Sequence, residues 1–125
     1  MRRGELLKLW IFGKSDSAYS RIIGVISFSQ IIEGCFLSCF LGYSIDASET
    51  GKGYMTEALD TAIRYVFDSV RLHRIEANIQ PENAPSLRVA QKLGFREEGL
   101  ARKYLKIDSK WHDHLHMVIL NSAVE

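Results

Sequence analysis

Between residues 54 and 70, apolar side chains recur at helical spacing: Met55, Ala58, Leu59, Ala62, Ile63, Val66, Phe67 and Val70. Thr56, Glu57, Asp60, Thr61 and Arg64 occupy the remaining surface, so the stripe is continuous and one-sided. A helix of this kind is stable in water only when its stripe is buried against another layer. Extended segments can supply that layer. Residues 6–12, 21–30 and 35–45 are rich in β-branched and aromatic residues and read as strands. A turn over Gly13-Lys14-Ser15-Asp16-Ser17 and a link through Glu33-Gly34 would join them into a meander.

After the helix, residues 73–79 place Ile75, Ala77 and Ile79 on one face, which predicts a further strand. A second helix is expected from Asn83, whose side chain can cap free amides, with Pro85 tolerated in the first turn. Leu87, Ala90 and Leu93 give its buried stripe, and Gly94 ends it with Phe95 behind. Residues 101–120 read as two strands that turn near Asp108-Ser109-Lys110. The order is β-meander, α, β, α, β-hairpin, an α/β layered fold with two helices packed on a sheet. No repeat, low-complexity tract or linker divides the chain, so residues 1–125 are expected to form a single domain.

At 125 residues and 46% hydrophobic, the chain can bury one modest core. Its 16 Lys and Arg balance 15 Asp and Glu, which argues against a nucleic-acid or membrane-surface binder. Cys35 and Cys39, on one face of an extended strand, would stand about 13 Å apart, too far for a disulfide. Buried, reduced thiols in the cytoplasm are the expectation. No leader-like segment or bilayer-spanning run stands out, and the protein is expected to be soluble and intracellular.

The chemistry is concentrated where Gly51 and Gly53 precede the first helix. A helix N-terminus offers free amides and partial positive charge to a phosphate, and glycines let backbone approach it closely. Lys52 could add a point charge. Gly-x-Gly before a helix also serves as simple turn chemistry, so these residues alone leave both readings open. The loop is neither a P-loop nor a dinucleotide fingerprint: the spacing to Lys-Ser/Thr and the third glycine are both wanting.

The run Gly42-Tyr43-Ser44-Ile45, followed by Thr50-Gly51-Lys52-Gly53-Tyr54-Met55-Thr56-Glu57-Ala58-Leu59, resembles the acetyl-CoA signature of the GNAT N-acetyltransferase superfamily. Leu72-His73-Arg74-Ile75-Glu76-Ala77, Pro81-Glu82-Asn83, Ser86-Leu87-Arg88-Val89 and Lys92-Leu93-Gly94-Phe95 resemble its ribosomal-protein-alanine (RimJ/RimL-like) branch. Glu98-Gly99-Leu100-Ala101-Arg102 and Trp111-His112-Asp113-His114 continue the likeness, which runs from about residue 21 to 120. The resemblance implies a GNAT-like mixed, mostly antiparallel sheet. It also implies an acetyl-CoA-dependent transfer of acetyl to a primary amine, a protein N-terminus among the candidates.

In that family the strand before the glycine loop splays from the next strand, and the pantetheine arm lies in the gap. Carried over, backbone at Tyr43, Ser44 and Ile45 would meet the pantetheine. Amides of Thr50, Gly51, Lys52, Gly53, Tyr54 and Met55 would hold the pyrophosphate. Asn83 would bond the cofactor arm, a role compatible with capping. Ala90 stands where many members have a catalytic tyrosine, which leaves Ser86 as the implied proton donor to the departing thiolate; a serine satisfying first-turn backbone is the alternative. Glu76 is the candidate general base, with a solvated strand residue as its alternative. Asp108 and Asp113 are further carboxylates to weigh, and Lys103 replaces an acid that some ribosomal-type members carry before the tyrosine equivalent to Tyr104. Ser48 likewise departs from the Gln or Arg that opens many GNAT loops. His112, His114 and His116 would share a strand face with the outer pair about 13 Å apart, so no metal is expected there.

Measured against the family, the opening strand and helices are missing, and the uncovered sheet edge points to self-association, a homodimer being the simplest form. The rival readings are a small-molecule amine acetyltransferase and an acyl-CoA-binding module without turnover.

Overall fold

The computed structural model describes residues 5–12, 22–45 and 53–125. The strands are β1 (Glu5–Phe12), β2 (Ile22–Ile32), β3 (Ser38–Ile45), β4 (Arg74–Ile79), β5 (Arg96–Ile107) and β6 (Lys110–Leu120). Helix α1 spans Tyr54–Tyr65 and α2 spans Ala84–Lys92. The six strands form one sheet in the order β1-β2-β3-β4-β6-β5, antiparallel except where β3 and β4 run parallel. It is the mixed, mostly antiparallel sheet with two helices that the family resemblance implied.

The alternation of β4 is realised: Ile75, Ala77 and Ile79 are buried, while Arg74, Glu76 and Asn78 face the other way. The buried set joins Ile26 and Phe28 of β2, Cys39 and Leu41 of β3, and Met117 of β6 beneath Met55, Leu59, Ala62 and Ile63 of α1. Both helices therefore cover the same face of the sheet. Helix α2 contributes Ala90 to this core and ends as expected. Gly94 turns left-handed (φ 94°), Phe95 N–H reaches the Ala90 carbonyl at 3.0 Å, and Gly94 N–H reaches that of Gln91 at 3.1 Å. That pair is a Schellman cap, with Phe95 and Ala90 both buried in the core. The β5–β6 hairpin turns at Asp108 and Ser109, both at positive φ (51° and 67°), the type I′ pattern that matches strand twist.

Two expectations are corrected. The helix predicted over 54–70 is α-helical to Tyr65 and then widens into a π turn over Val66–Val70, ended by Arg71 at φ 64°. The apolar period runs on through the change, which is why the sequence conceals it. The side-chain amide of Asn121 donates to the carbonyls of Phe67 (3.3 Å) and Leu72 (3.1 Å), serving backbone that the wider turn releases. The second correction concerns Cys35. β3 begins only at Ser38, because Gly34 (φ 81°) and Leu37 (φ 45°) bend the preceding chain into a turn. Cys35 is exposed there, and only Cys39 is buried; both thiols are free. The predicted turn over residues 13–17 lies outside the described residues.

An apolar groove of about 730 Å³ runs between the edge strand β1 and α1, lined among others by Leu7, Leu9, Ile11, Ile26, Ala58 and Ala62. Trp10 and Phe12 stand exposed at its rim. No helix among the described residues is long and apolar enough to cross a membrane.

Burial pushes the Cys39 thiol up to about 12, which keeps it protonated and unreactive. Iodoacetamide at about pH 8 should therefore label native protein at Cys35 alone, with Cys39 labelled after denaturation. Equal labelling of both in the native state, read by peptide mass spectrometry, would contradict the packing described.

Candidate active site

The parallel ladder between β3 and β4 has four rungs: Ser38↔Arg74, Cys39↔Ile75, Phe40↔Glu76 and Leu41↔Ala77. It then stops, although both strands continue. β3 stays paired to β2 as far as Ile45↔Gly24, while β4 stays paired to β6 through Asn78↔His116 and Ile79↔Leu115. Each strand follows its outer neighbour, and a wedge opens between Gly42-Tyr43-Ser44-Ile45 on one side and Asn78-Ile79 on the other. Among the described residues, backbone groups along these edges have no cross-strand partner and are available to a ligand.

Two helix N-termini border the wedge. Gly53 is the N-cap of α1 at φ 79°, a left-handed conformation that glycine adopts without penalty, and among the described residues no side chain caps this end. The first-turn amides of Tyr54 and Met55 consequently have no intrahelical acceptor. The Met55 side chain is buried in the core, so only its backbone can serve a site; Tyr54 is partly open. At α2, Asn83 is the N-cap, its Oδ1 accepting from Ser86 N–H at 3.3 Å. The Tyr43 hydroxyl spans the space between, donating to the Ser86 carbonyl at 2.9 Å. Tyr43, Asn83 and Ser86 are thus brought together, with Gly53 and Tyr54 opening the helix that follows β3. Ser44 is exposed on the wedge strand. Thr50, Gly51 and Lys52, together with Ser48, lie outside the described residues.

Glu76 is not brought to Ser86. Strand alternation sends it to the face opposite the helices, whereas Ser86 belongs to α2 on the covered face. Nor is Glu76 solvated: its side chain is 13% exposed and both oxygens are engaged, one by Arg74 at 2.7 Å and the other by His116 Nδ1 at 3.1 Å. Arg74 also donates to both oxygens of Glu98, at 2.9 and 3.2 Å. Those hydrogen bonds, Glu98's foremost, raise the guanidinium further, and Arg74 in turn holds the Glu98 carboxyl below its usual range.

The remaining sequence candidates find other partners. Ala90 is buried in the core, so no hydroxyl stands there. Lys103 sits at φ 47° in an irregular stretch of β5, its N–H donating to Asp113 Oδ1 at 2.8 Å. Asp108 belongs to the hairpin turn. Of the histidines, His112 donates through Nε2 to the Ile107 carbonyl (3.3 Å) and His114 through Nδ1 to the His112 carbonyl (3.0 Å). His116 meets Asn78 Oδ1 at 2.6 Å as well as Glu76. Asn78 was missed by sequence reasoning, and Tyr104, noted there only by its family position, lies edge-on to His116 with ring centroids 5.1 Å apart. Period-two alternation placed Glu76 and Asn78 on one face, but the partner strand was not legible.

Burial lifts the Tyr43 phenol to about 12, with its Ser86 hydrogen bond pulling the other way. A raised folded-state value means stability is fully present below the unfolded value of about 10 and is lost as pH climbs toward the folded one. Tyr43→Phe should cost about 1 kcal/mol in urea unfolding at neutral pH and should flatten the alkaline decline. A variant as stable as the parent, with the same alkaline decline, would show that the phenol does not tie β3 to α2.

An acetyltransferase (GNAT) domain profile matches residues 2–96. A Bacillus subtilis (strain 168) protein named "Probable N-acetyltransferase YjcK" is 46% identical over 121 residues, covering 97% of this chain and 65% of the relative. The Escherichia coli (strain K12) [ribosomal protein uS5]-alanine N-acetyltransferase is 47% identical over 104 residues, 83% of this chain and 54% of that protein. Among solved structures, Mycobacterium smegmatis RimJ in complex with CoA-disulfide superposes with a TM-score of 0.82 at 37% identity, covering 94% of this chain and 55% of that one. The chain therefore spans between about half and two thirds of the length of these relatives. With its splayed β3–β4 pair, its glycine-capped helix and a profile match over most of its length, the chain belongs to the GNAT acetyltransferase family.

Proposed function

We propose that this chain binds acetyl-CoA in the β3–β4 wedge and transfers its acetyl group to a primary amine, the N-terminal amine of a protein being the favoured acceptor. The observation that carries the reading is the halt of the parallel ladder at Leu41↔Ala77 beside two helix N-termini. The residues present suit the cofactor. Open backbone at Tyr43, Ser44 and Ile45 matches an amide-bearing pantetheine arm, which can pair as a strand does. The amides of Thr50, Gly51, Lys52, Gly53, Tyr54 and Met55 suit a pyrophosphate at the start of α1. Asn83 and Ser86 line the arm from α2.

Bound acetyl-CoA supplies an activated acyl carbon, whose bond to sulfur breaks as a bond to the amine nitrogen forms. The chain's own part is to position, to polarise and to move protons. A backbone N–H at the wedge stabilises negative charge on the carbonyl oxygen. Ser86 donates a proton toward the departing sulfur, and the amine nitrogen sheds its protons toward the open face. The uS5-alanine acetyltransferase relative supports a protein N-terminal acceptor, and CoA in the RimJ structure supports the cofactor. We take residues 1–125 to act as one acetyltransferase unit, and free Cys39 suits the reducing cytoplasm.

A second reading, acyl-CoA binding without turnover, is favoured by Ala90 and Lys103, which leave two expected catalytic positions without their groups. Calorimetric titration with acetyl-CoA tests what both share. The parent chain should bind, Gly53→Glu should lose binding by at least about ten-fold through strain at positive φ and repulsion of phosphate, and Gly53→Ala should fall between. Equal affinity in all three would remove the pyrophosphate from this loop. Transfer to a peptide with an N-terminal alanine then separates the enzyme from the inactive binder.

A further inference from the structure

On the sheet face that α1 and α2 leave uncovered, Arg74, Glu76, Asn78, Glu98 and His116 form one connected polar cluster. We infer that His116, oriented by Glu76 and Asn78, takes the proton from the acceptor amine through its Nε2. The inference rests on the acetyl-transfer reading and gives its acceptor side a residue.

Geometry fixes the ring's tautomer. Nδ1 faces Asn78 Oδ1 at 2.6 Å and Glu76 Oε2 at 3.1 Å, and an amide oxygen and an ionised carboxylate only accept. Nδ1 therefore carries the hydrogen, and in the neutral ring the lone pair is on Nε2. Glu76 itself is poorly placed to meet a substrate, since Arg74 holds its other oxygen and its side chain is 13% exposed. Its part is to orient the imidazole and to balance the charge that the ring acquires, the arrangement that an acid gives a histidine base elsewhere in catalysis. A quarter of the His116 side chain is open to solvent.

Charge accounting agrees. The titratable and charged groups around His116 are Arg74 and Glu76 from β4 and Glu98 and Tyr104 from β5, with His114, two residues back on its own strand, against the same Tyr104 ring. With His116 neutral, the Arg74–Glu76–Glu98 set carries one net negative charge; protonation of the ring neutralises it. The site can accept a proton without gathering unbalanced charge.

Asn78 is the first β4 residue past the last β3 rung, and His116 is paired directly opposite it. The helices occupy the other face, so an amine approaching the wedge from the open side passes this imidazole. The ammonium proton moves to Nε2, leaving the amine's lone pair free to attack; the imidazolium then returns the proton to bulk water.

The test is steady-state acetylation of an alanine-initiated peptide by the full chain across the neutral pH range, with acetyl-CoA affinity measured in parallel. His116→Gln should hold acetyl-CoA within about two-fold of the parent while kcat/KM falls by roughly 10²-fold and loses its acidic limb. His116→Ala should recover part of its rate when imidazole is added. Glu76→Gln should lower kcat several-fold with the KM for acetyl-CoA little changed, because the imidazolium loses the carboxylate that orients it and balances its charge. A His116→Gln enzyme with the parent's acidic limb and rate overturns the inference alone. So does a loss of rate that merely tracks a loss of folded protein and that imidazole does not restore. A parent chain that neither binds acetyl-CoA nor acetylates the peptide overturns the acetyl-transfer reading, and the inference with it.

Discussion

Hydrogen bonding between strands β3 and β4 lasts for four rungs and no more, because each strand is held more extensively by its other neighbour. β2 keeps β3 straight to Ile45, and β6 keeps β4 to Ile79. A sheet normally closes such a wedge to satisfy its backbone. Here the open edges are retained between two layers of support: α1 and α2 on one face, the β5–β6 hairpin on the other side of β4. The core residues that anchor this arrangement, Phe28, Leu59, Leu72 and Ile75 among them, are fully buried. Packing energy elsewhere in the domain thus sustains a local defect in hydrogen bonding, and the defect is the candidate site.

The wedge also divides the chemistry by face. Everything suited to an extended, phosphate-bearing arm lies on the helix side: the Gly53 cap, Asn83, Ser86 and the Tyr43 strut between β3 and α2. Groups suited to proton transfer lie on the open side, around Glu76 and His116. Among the described residues, the two faces meet at the wedge. The proposed transfer, between a helix-side thioester and an open-face amine, would run through it and give the two substrates separate approaches.

Much of this fold was legible because it is written in local periods. The α1 stripe, the Ile75-Ala77-Ile79 alternation, Asn83 as a cap, Gly94 as a helix stop and the Asp108-Ser109 turn each depend on residues within a few positions of one another. What escaped depends on distance or register. The π turn shares its apolar period with α1. Cys35 reads as strand until Gly34 and Leu37 bend the chain. Tyr43 meets Ser86 across 43 positions and His116 meets Glu76 across 40. The latter contact requires β6 to insert between β4 and β5, an order that no local spacing encodes. The histidines were therefore read as a set along their own strand, when the decisive partners of His116 stand on the next one.

Binding of the cofactor in the wedge, rather than in any other concavity, can be measured directly. Amide resonances of the isotope-labelled chain would be mapped by NMR during titration with CoA. Shifts are expected to concentrate at residues 42–45, 53–55 and 83–86, with the β1–α1 groove at Leu7, Leu9 and Ile11 undisturbed. Shifts confined to that groove, with the wedge residues unmoved, would contradict binding in the wedge.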